Sequence, residues 1–233
     1  MNSLLLIALA PVAILLAYIW LRDKYEKEPW QLLLKALALG AISVIPVLFV
    51  ERFLMGFIDL FSGYLRAFWN AFVVAAFTEE LFKFIFLYLL IWKSRDFNEK
   101  FDGIVYAVFI SLGFAGVENV MYVLNYGHGV GITRALTAVP AHFLFGVSMG
   151  YFFGMARFYA DRRPAMIRMA LLVPMLLHGI YDFILMSQQQ LLLLLFIPFV
   201  IWMWRFGLKK MRELSDSSVF RFDYNSKDPL KHN

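Results

Sequence analysis

Ionisable side chains sit inside apolar runs of this sequence, at spacings that place them on shared helix faces. The run Phe77-Thr78-Glu79-Glu80-Leu81-Phe82-Lys83 carries two acids and one base. Glu79 and Lys83 are four apart and share a face of a helix, with Glu80 about a third of a turn away. The trio could be a structural ion pair, but a pair needs one acid and two are present. Glu118 is followed by Asn119 and preceded, four residues earlier, by Phe114; Gly113 and Gly116 nearby permit close helix approach. Taken alone, Glu118 reads equally well as a hydrogen-bonded packing residue. His142 heads a row of Gly146, Gly150 and Gly154 at four-residue spacing, a small-residue packing face that turns the imidazole into a bundle. A single His so placed can be no more than an interhelical hydrogen-bond donor. His178 and Asp182 are again four apart. A carboxylate there can orient the imidazole as base, electrophile or metal ligand, or form a plain salt link.

Together these are four acids, Glu79, Glu80, Glu118 and Asp182, facing one Lys and two His. Like charges in a low-dielectric site cannot all ionise, so either some carboxyls hold a proton or a cation is bound. Glu79, Glu118, His142 and His178 form a plausible ligand set for a divalent metal such as zinc. The same groups serve a metal-free mechanism, with a Glu activating water and His stabilising an oxyanion. Ser148 and Thr78 lack an evident dedicated base, and of the aspartates only Asp182 lies well inside an apolar run. Serine, threonine and aspartyl mechanisms are therefore disfavoured.

The elements that must position these groups are membrane helices. Of 233 residues 61% are hydrophobic and 17% charged, against about a quarter charged in a soluble domain. Cysteine is absent, which excludes disulfide and thiolate chemistry. Seven apolar runs approach the roughly 20 residues a bilayer core requires: 3–21, 32–49, 69–92, 104–124, 135–158, 169–186 and 191–206. The weaker stretch 53–65 contains Asp59 and Gly63 and reads as an amphipathic or re-entrant piece. No basic residue precedes the first run, so it is expected to be a retained span and not a cleaved signal. Lys and Arg concentrate after the first, third, fifth and seventh runs, which predicts an outside N-terminus and an inside C-terminus. The expected organisation is a membrane domain over 1–214 and a polar cytoplasmic tail over 215–233. At ~1.5 Å per helical residue, Asp182, Glu118, His142, His178, Glu79 and Glu80 all fall between about 6 and 17 Å from the outer ends of their spans. One polar cavity open to the extracytoplasmic side would require that agreement.

The motifs Glu-Glu-x-x-Lys (Glu79, Glu80, Lys83), Phe-x-x-x-Glu (Phe114, Glu118) and His-x-x-x-Asp (His178, Asp182) together resemble the PrsW family of bacterial intramembrane proteases. The stretches 101–106 and 177–184 also resemble that family. The resemblance covers essentially the whole chain. It implies a bacterial cell-membrane protease that makes the first, extracytoplasmic-side cut in a membrane-anchored anti-sigma factor, so that a stress-response sigma factor is freed. The family is distantly similar to CAAX-prenyl endopeptidases and bacteriocin self-immunity proteins. By that similarity Glu79 would activate water and Glu80 would pair with the basic residue. Lys83 stands one position earlier than the Arg of that wider pattern, and Glu118 stands where it has a His. His142 would supply the missing imidazole. His178 held by Asp182 would stabilise the oxyanion or bind metal, with Lys83, Phe114 and Asn119 in support. Two readings from other classes compete: a proton- or cation-coupled transporter, and a non-catalytic scaffold binding through the glycine row. The sequence shows neither the repeated halves nor the inner-half acids that a transporter would favour.

Overall fold

The computed structural model describes residues 2–221. Among these the chain is helical throughout: α1 (Asn2–Arg22), α2 (Trp30–Met55), α3 (Gly63–Phe68), α4 (Thr78–Ile91), α5 (Lys100–Leu136), α6 (Ala138–Phe158), α7 (Arg163–Met186) and α8 (Gln190–Asp216). Between α3 and α4 the backbone winds as a nine-residue π-helix, Trp69–Phe77. Among the described residues five helical stretches are long and apolar enough to cross a membrane: Ser3–Arg22, Trp30–Leu60, Lys100–Phe158, Ala160–Met186 and Gln190–Asp216. The third of these, 59 residues long, contains both α5 and α6. Many large apolar side chains, such as Phe49, Leu89 and Leu194, face outward, as a lipid-facing surface requires.

α5 is the axis of the bundle. Every residue from Phe101 to Gly116 is buried, so this helix has no lipid face over four turns. Small residues make such enclosure possible, because they let backbones approach. A Cβ added at Gly103 would stand 2.7 Å from the Gly150 carbonyl oxygen and 2.8 Å from the Gly154 nitrogen, so α5 and α6 meet backbone to backbone. Gly113 likewise meets Leu37 and Ala41 of α2. The glycine row of α6 is thus a packing face, as its spacing indicates. α1 and α2 each pack along α5, and α7 lies along α6. α8 is peripheral, with only Met203, Gly207, Met211 and Leu214 buried.

Several boundaries differ from the apolar runs. α5, α7 and α8 extend past them because polar and charged turns continue a helix once it leaves the apolar layer. The stretch 53–65 divides into the end of α2, a single turn at Ile58–Leu60 and the start of α3, with Asp59 in an exposed ion pair to Arg66. At Gly127 the backbone takes φ 79° and ψ −167°, which breaks α5 and lets residues 128–136 fold back. A residue with a side chain rarely adopts that φ, which is why glycine stands there. α8 runs to Asp216, and residues 222–233 of the expected tail lie outside the described residues.

Candidate functional site

Four helices deliver the polar groups to one end of the bundle. The cavity there, about 820 Å³, is lined by the last turns of α2, the π-segment and start of α4, the second half of α5, the start of α6 and the end of α7. Glu79, Phe114, Glu118, His142, His178 and Asp182 all line it. Glu80 and Lys83 lie behind that wall, 0% and 1% exposed.

Lys83 is the hub. Its Nζ donates to Glu79 Oε2 at 3.1 Å, to Glu80 Oε1 at 2.9 Å and to His142 Nδ1 at 3.1 Å, and it rests 4.2 Å above the Phe114 ring. An ammonium has three protons and no acceptor, so Nδ1 of His142 must be the accepting nitrogen. The proton of His142 is then on Nε2, which donates to Glu118 Oε2 at 3.0 Å. Glu118 Oε2 also forms an ion pair with Arg134 Nη2 at 2.7 Å. Arg134 belongs to the segment folded back after Gly127; its guanidinium lies 3.8 Å over the Tyr122 ring, and its Nε donates to Asn119 at 3.1 Å. On the other side, His178 Nδ1 meets Glu80 Oε1 at 2.9 Å and Nε2 meets Asp182 Oδ2 at 3.3 Å. The His178 ring stacks on Phe145 at 4.7 Å. One connected network therefore runs from Arg134 through Glu118, His142, Lys83, Glu80 and His178 to Asp182.

Asn119 does not face the cavity. It is fully buried and donates to the Ala8 carbonyl at 2.9 Å, so it joins α5 to α1 while accepting from Arg134. Ser148 and Thr78 both donate to carbonyls of their own helical run, Phe145 and Val73, which leaves neither hydroxyl free as a nucleophile. Two cavity groups were not singled out by sequence. Arg134 looks like an ordinary loop charge until the Gly127 break returns it to Glu118. Glu51 lines the cavity from the end of α2, and its only signal was an acid closing an apolar run.

Glu79, Glu80, His142 and His178 each offer a donor atom within 4.8 Å of the others. Carboxylate oxygen with imidazole nitrogen is a zinc-type donor set, and Glu80 Oε2 is buried without a partner. These residues fit a metal ion. The four-donor group contains Glu80, whereas the ligand set expected from sequence had Glu118, which pairs with Arg134 and His142.

The family model described as PrsW family intramembrane metalloprotease matches residues 28–203. "Protease PrsW" of Clostridioides difficile (strain 630) is 37% identical over 222 residues, covering 93% of each chain. "Protease PrsW" of Bacillus subtilis (strain 168) is 36% identical over 214 residues, covering 91% of this chain and 96% of the relative. That of Oceanobacillus iheyensis is 34% identical over 219 residues, covering 94% and 99%. No solved structure matches the chain.

Proposed function

Since the chain belongs to the PrsW family of intramembrane metalloproteases, and is thus a multi-pass membrane endopeptidase, we propose that it makes the first, extracytoplasmic-side cut in a membrane-anchored anti-sigma factor. The observation that carries the site assignment is Glu79: it opens on the cavity while its other contact, Lys83, is buried behind it. A carboxylate so placed can take a proton from a water in the cavity. Lys83 fixes its position, and Glu80 balances the ammonium so that Glu79 keeps basicity. His178 is anchored through Nδ1 by Glu80, so Nε2, at the longer 3.3 Å contact with Asp182, is the nitrogen that turns to the substrate. In that role Nε2 leaves Asp182 and donates to the tetrahedral oxyanion, with Glu80 holding the ring through Nδ1. His142, with Nδ1 facing Lys83, passes protons only through Nε2 and Glu118. In the metal version of this site Glu79, Glu80, His142 and His178 would instead hold a zinc ion, with the Lys83 ammonium released from them. When bound, it would acidify a water and polarise the scissile carbonyl.

The orientation belongs to the same reading. The basic residues of the loops after α1, α4 and α6 and of the second half of α8 lie at the end of the bundle away from the cavity, which by the positive-inside rule supports a cavity on the outer side. This reading takes α5 and α6 as separate crossings and adds the continuous run of α3, π-segment and α4, for seven in all.

The test is cleavage of a single-span anti-sigma-type substrate by purified protein in liposomes. Wild type should cut and Glu79→Gln should not, by a factor of at least about 100. Loss on chelation with recovery in zinc assigns the metal version, and indifference to chelator assigns the metal-free one. Unchanged cleavage by a folded Glu79→Gln variant would falsify the assignment of the base.

A further inference from the structure

The other end of the bundle holds a second group of acids that proteolysis does not use. Asp23, Glu26 and Glu28 lie in the α1–α2 loop, and Glu99 and Asp102 lie at the start of α5. One carboxylate oxygen from each of Glu26, Glu28 and Asp102 falls within 4.8 Å of the others. The group is buried: Asp23, Glu28, Glu99 and Asp102 are all at most 4% exposed. Glu26, only partly buried, is its rim.

Each carboxyl uses part of its capacity on the protein. Asp102 accepts from the Asn98 amide at 2.9 Å and the Glu99 amide at 2.8 Å. Glu28 accepts from the Tyr106 hydroxyl, Glu26 from the Asn98 side chain at 3.2 Å and Asp23 from the Glu28 amide at 3.4 Å. The Glu99 side chain caps α5. The second oxygen of all five is buried with no donor assigned to it, and the Glu28 and Asp102 carboxyls lie within hydrogen-bond reach of each other, as do Glu99 and Ser218. Those second oxygens make up five of the eight such side-chain atoms among the described residues. None of the five acids has an ion pair among the described residues. The nearest base, Lys27, donates to the Trp20 carbonyl and sits 4.2 Å above the Trp20 ring. Lys100 turns to Tyr159.

A buried acceptor without a donor is costly, and five together demand a positive partner. The available donors are oxygens alone, with no imidazole or thiolate, which favours a hard cation over zinc. We infer that Glu26, Glu28 and Asp102, with Asp23 and Glu99 adding negative charge beside them, form a binding site for a hard divalent cation, magnesium or calcium, that ties the α1–α2 loop to the start of α5. The hydrogen bonds already aim the carboxyls, so the site is organised before the ion arrives.

The experiment titrates the full-length protein in nanodiscs with terbium, a luminescent probe of calcium sites, sensitised by Tyr106 against Glu28. Wild type should bind it, and millimolar calcium or magnesium should displace it and raise the melting temperature. Glu28→Gln with Asp102→Asn should weaken terbium binding at least about tenfold, since ligand charge tunes such sites. The two amides can hydrogen-bond each other without a proton, and Glu26→Gln at the rim is a second variant that leaves the buried groups in place. His178→Ala, at the opposite end, should keep the signal. The inference is overturned if terbium binding is equal in wild type and Glu26→Gln, or if neither cation displaces terbium or shifts the melting temperature.

Discussion

Lys83 decides the electrostatics of the site, because one ammonium satisfies two carboxylates and one imidazole. Lys83→Met would leave Glu80 buried with its main counter-charge gone. Breaking a buried pair from one side costs about 3–5 kcal/mol, so this variant should melt well below wild type in a thermal scan. His142→Ala should stay folded, since neighbouring Phe114 and Phe145 remain, yet lose most cleavage. A wild-type rate in the folded variant would remove His142 from the mechanism. Arg134→Gln should lower cleavage about tenfold or more and shift its pH profile, because Glu118 would lose the guanidinium that balances it. The i,i+4 partners at this scale were legible because helical periodicity alone sets them. The Lys83–His142 and His178–Glu80 contacts span 59 and 98 residues of sequence, and no local rule produces them.

At the scale of elements, the α5–α6 pair holds the site in register. Gly103→Ala drives a Cβ into the Gly150 and Gly154 backbones, which cannot rotate aside. It should destabilise by about 1–3 kcal/mol, as overpacking generally does, measured by thermal unfolding in detergent. Gly116→Ala, whose nearest neighbour is a Val12 methyl at 3.7 Å, should change stability far less. The packing role of the glycine row could be read from its four-residue spacing. Two backbone departures could not. The π-helix over Trp69–Phe77 presents Glu79 and Glu80 to the bundle, and π-turns depend on tertiary contacts more than on composition. The break at Gly127 is one glycine among several in 127–131, and only the fold shows which one reverses the chain.

The whole molecule has two polar ends with different chemistry. The cavity end mixes carboxylates, imidazoles, Lys83 and Arg134, whereas the acidic group at the far end brings together five carboxyls, none of them in an ion pair among the described residues. That contrast gives a pH prediction. Glu28 and Asp23 have folded-state values raised above those of the unfolded chain, so the native state binds more protons than the unfolded one between about 4 and 8. Their contribution to stability is present at low pH and is lost as pH rises through about 7 to 8. In chelator, the melting temperature should therefore fall from pH 5 to pH 8.5, measured at fixed ionic strength. Millimolar magnesium or calcium should remove most of that fall.

The sequence by itself determined that this is a helical membrane protein and that its acids and imidazoles sit on inward faces, because apolar length and 3.6-residue periodicity are local properties. It also carried the family, through three short motifs spread over separate helices. Only the tertiary structure decided that Lys83 serves both glutamates and His142, that Arg134 returns to Glu118, and that Asn119 braces α1 instead of facing the cavity. The acids around Glu28 show the same division most plainly. Residues 23–28 and 99–102 read as ordinary charged loops in sequence, and become one buried cluster only when α2 and α5 pack side by side. Contacts between distant segments depend on which faces the helices choose for each other, and that choice is made by the whole bundle.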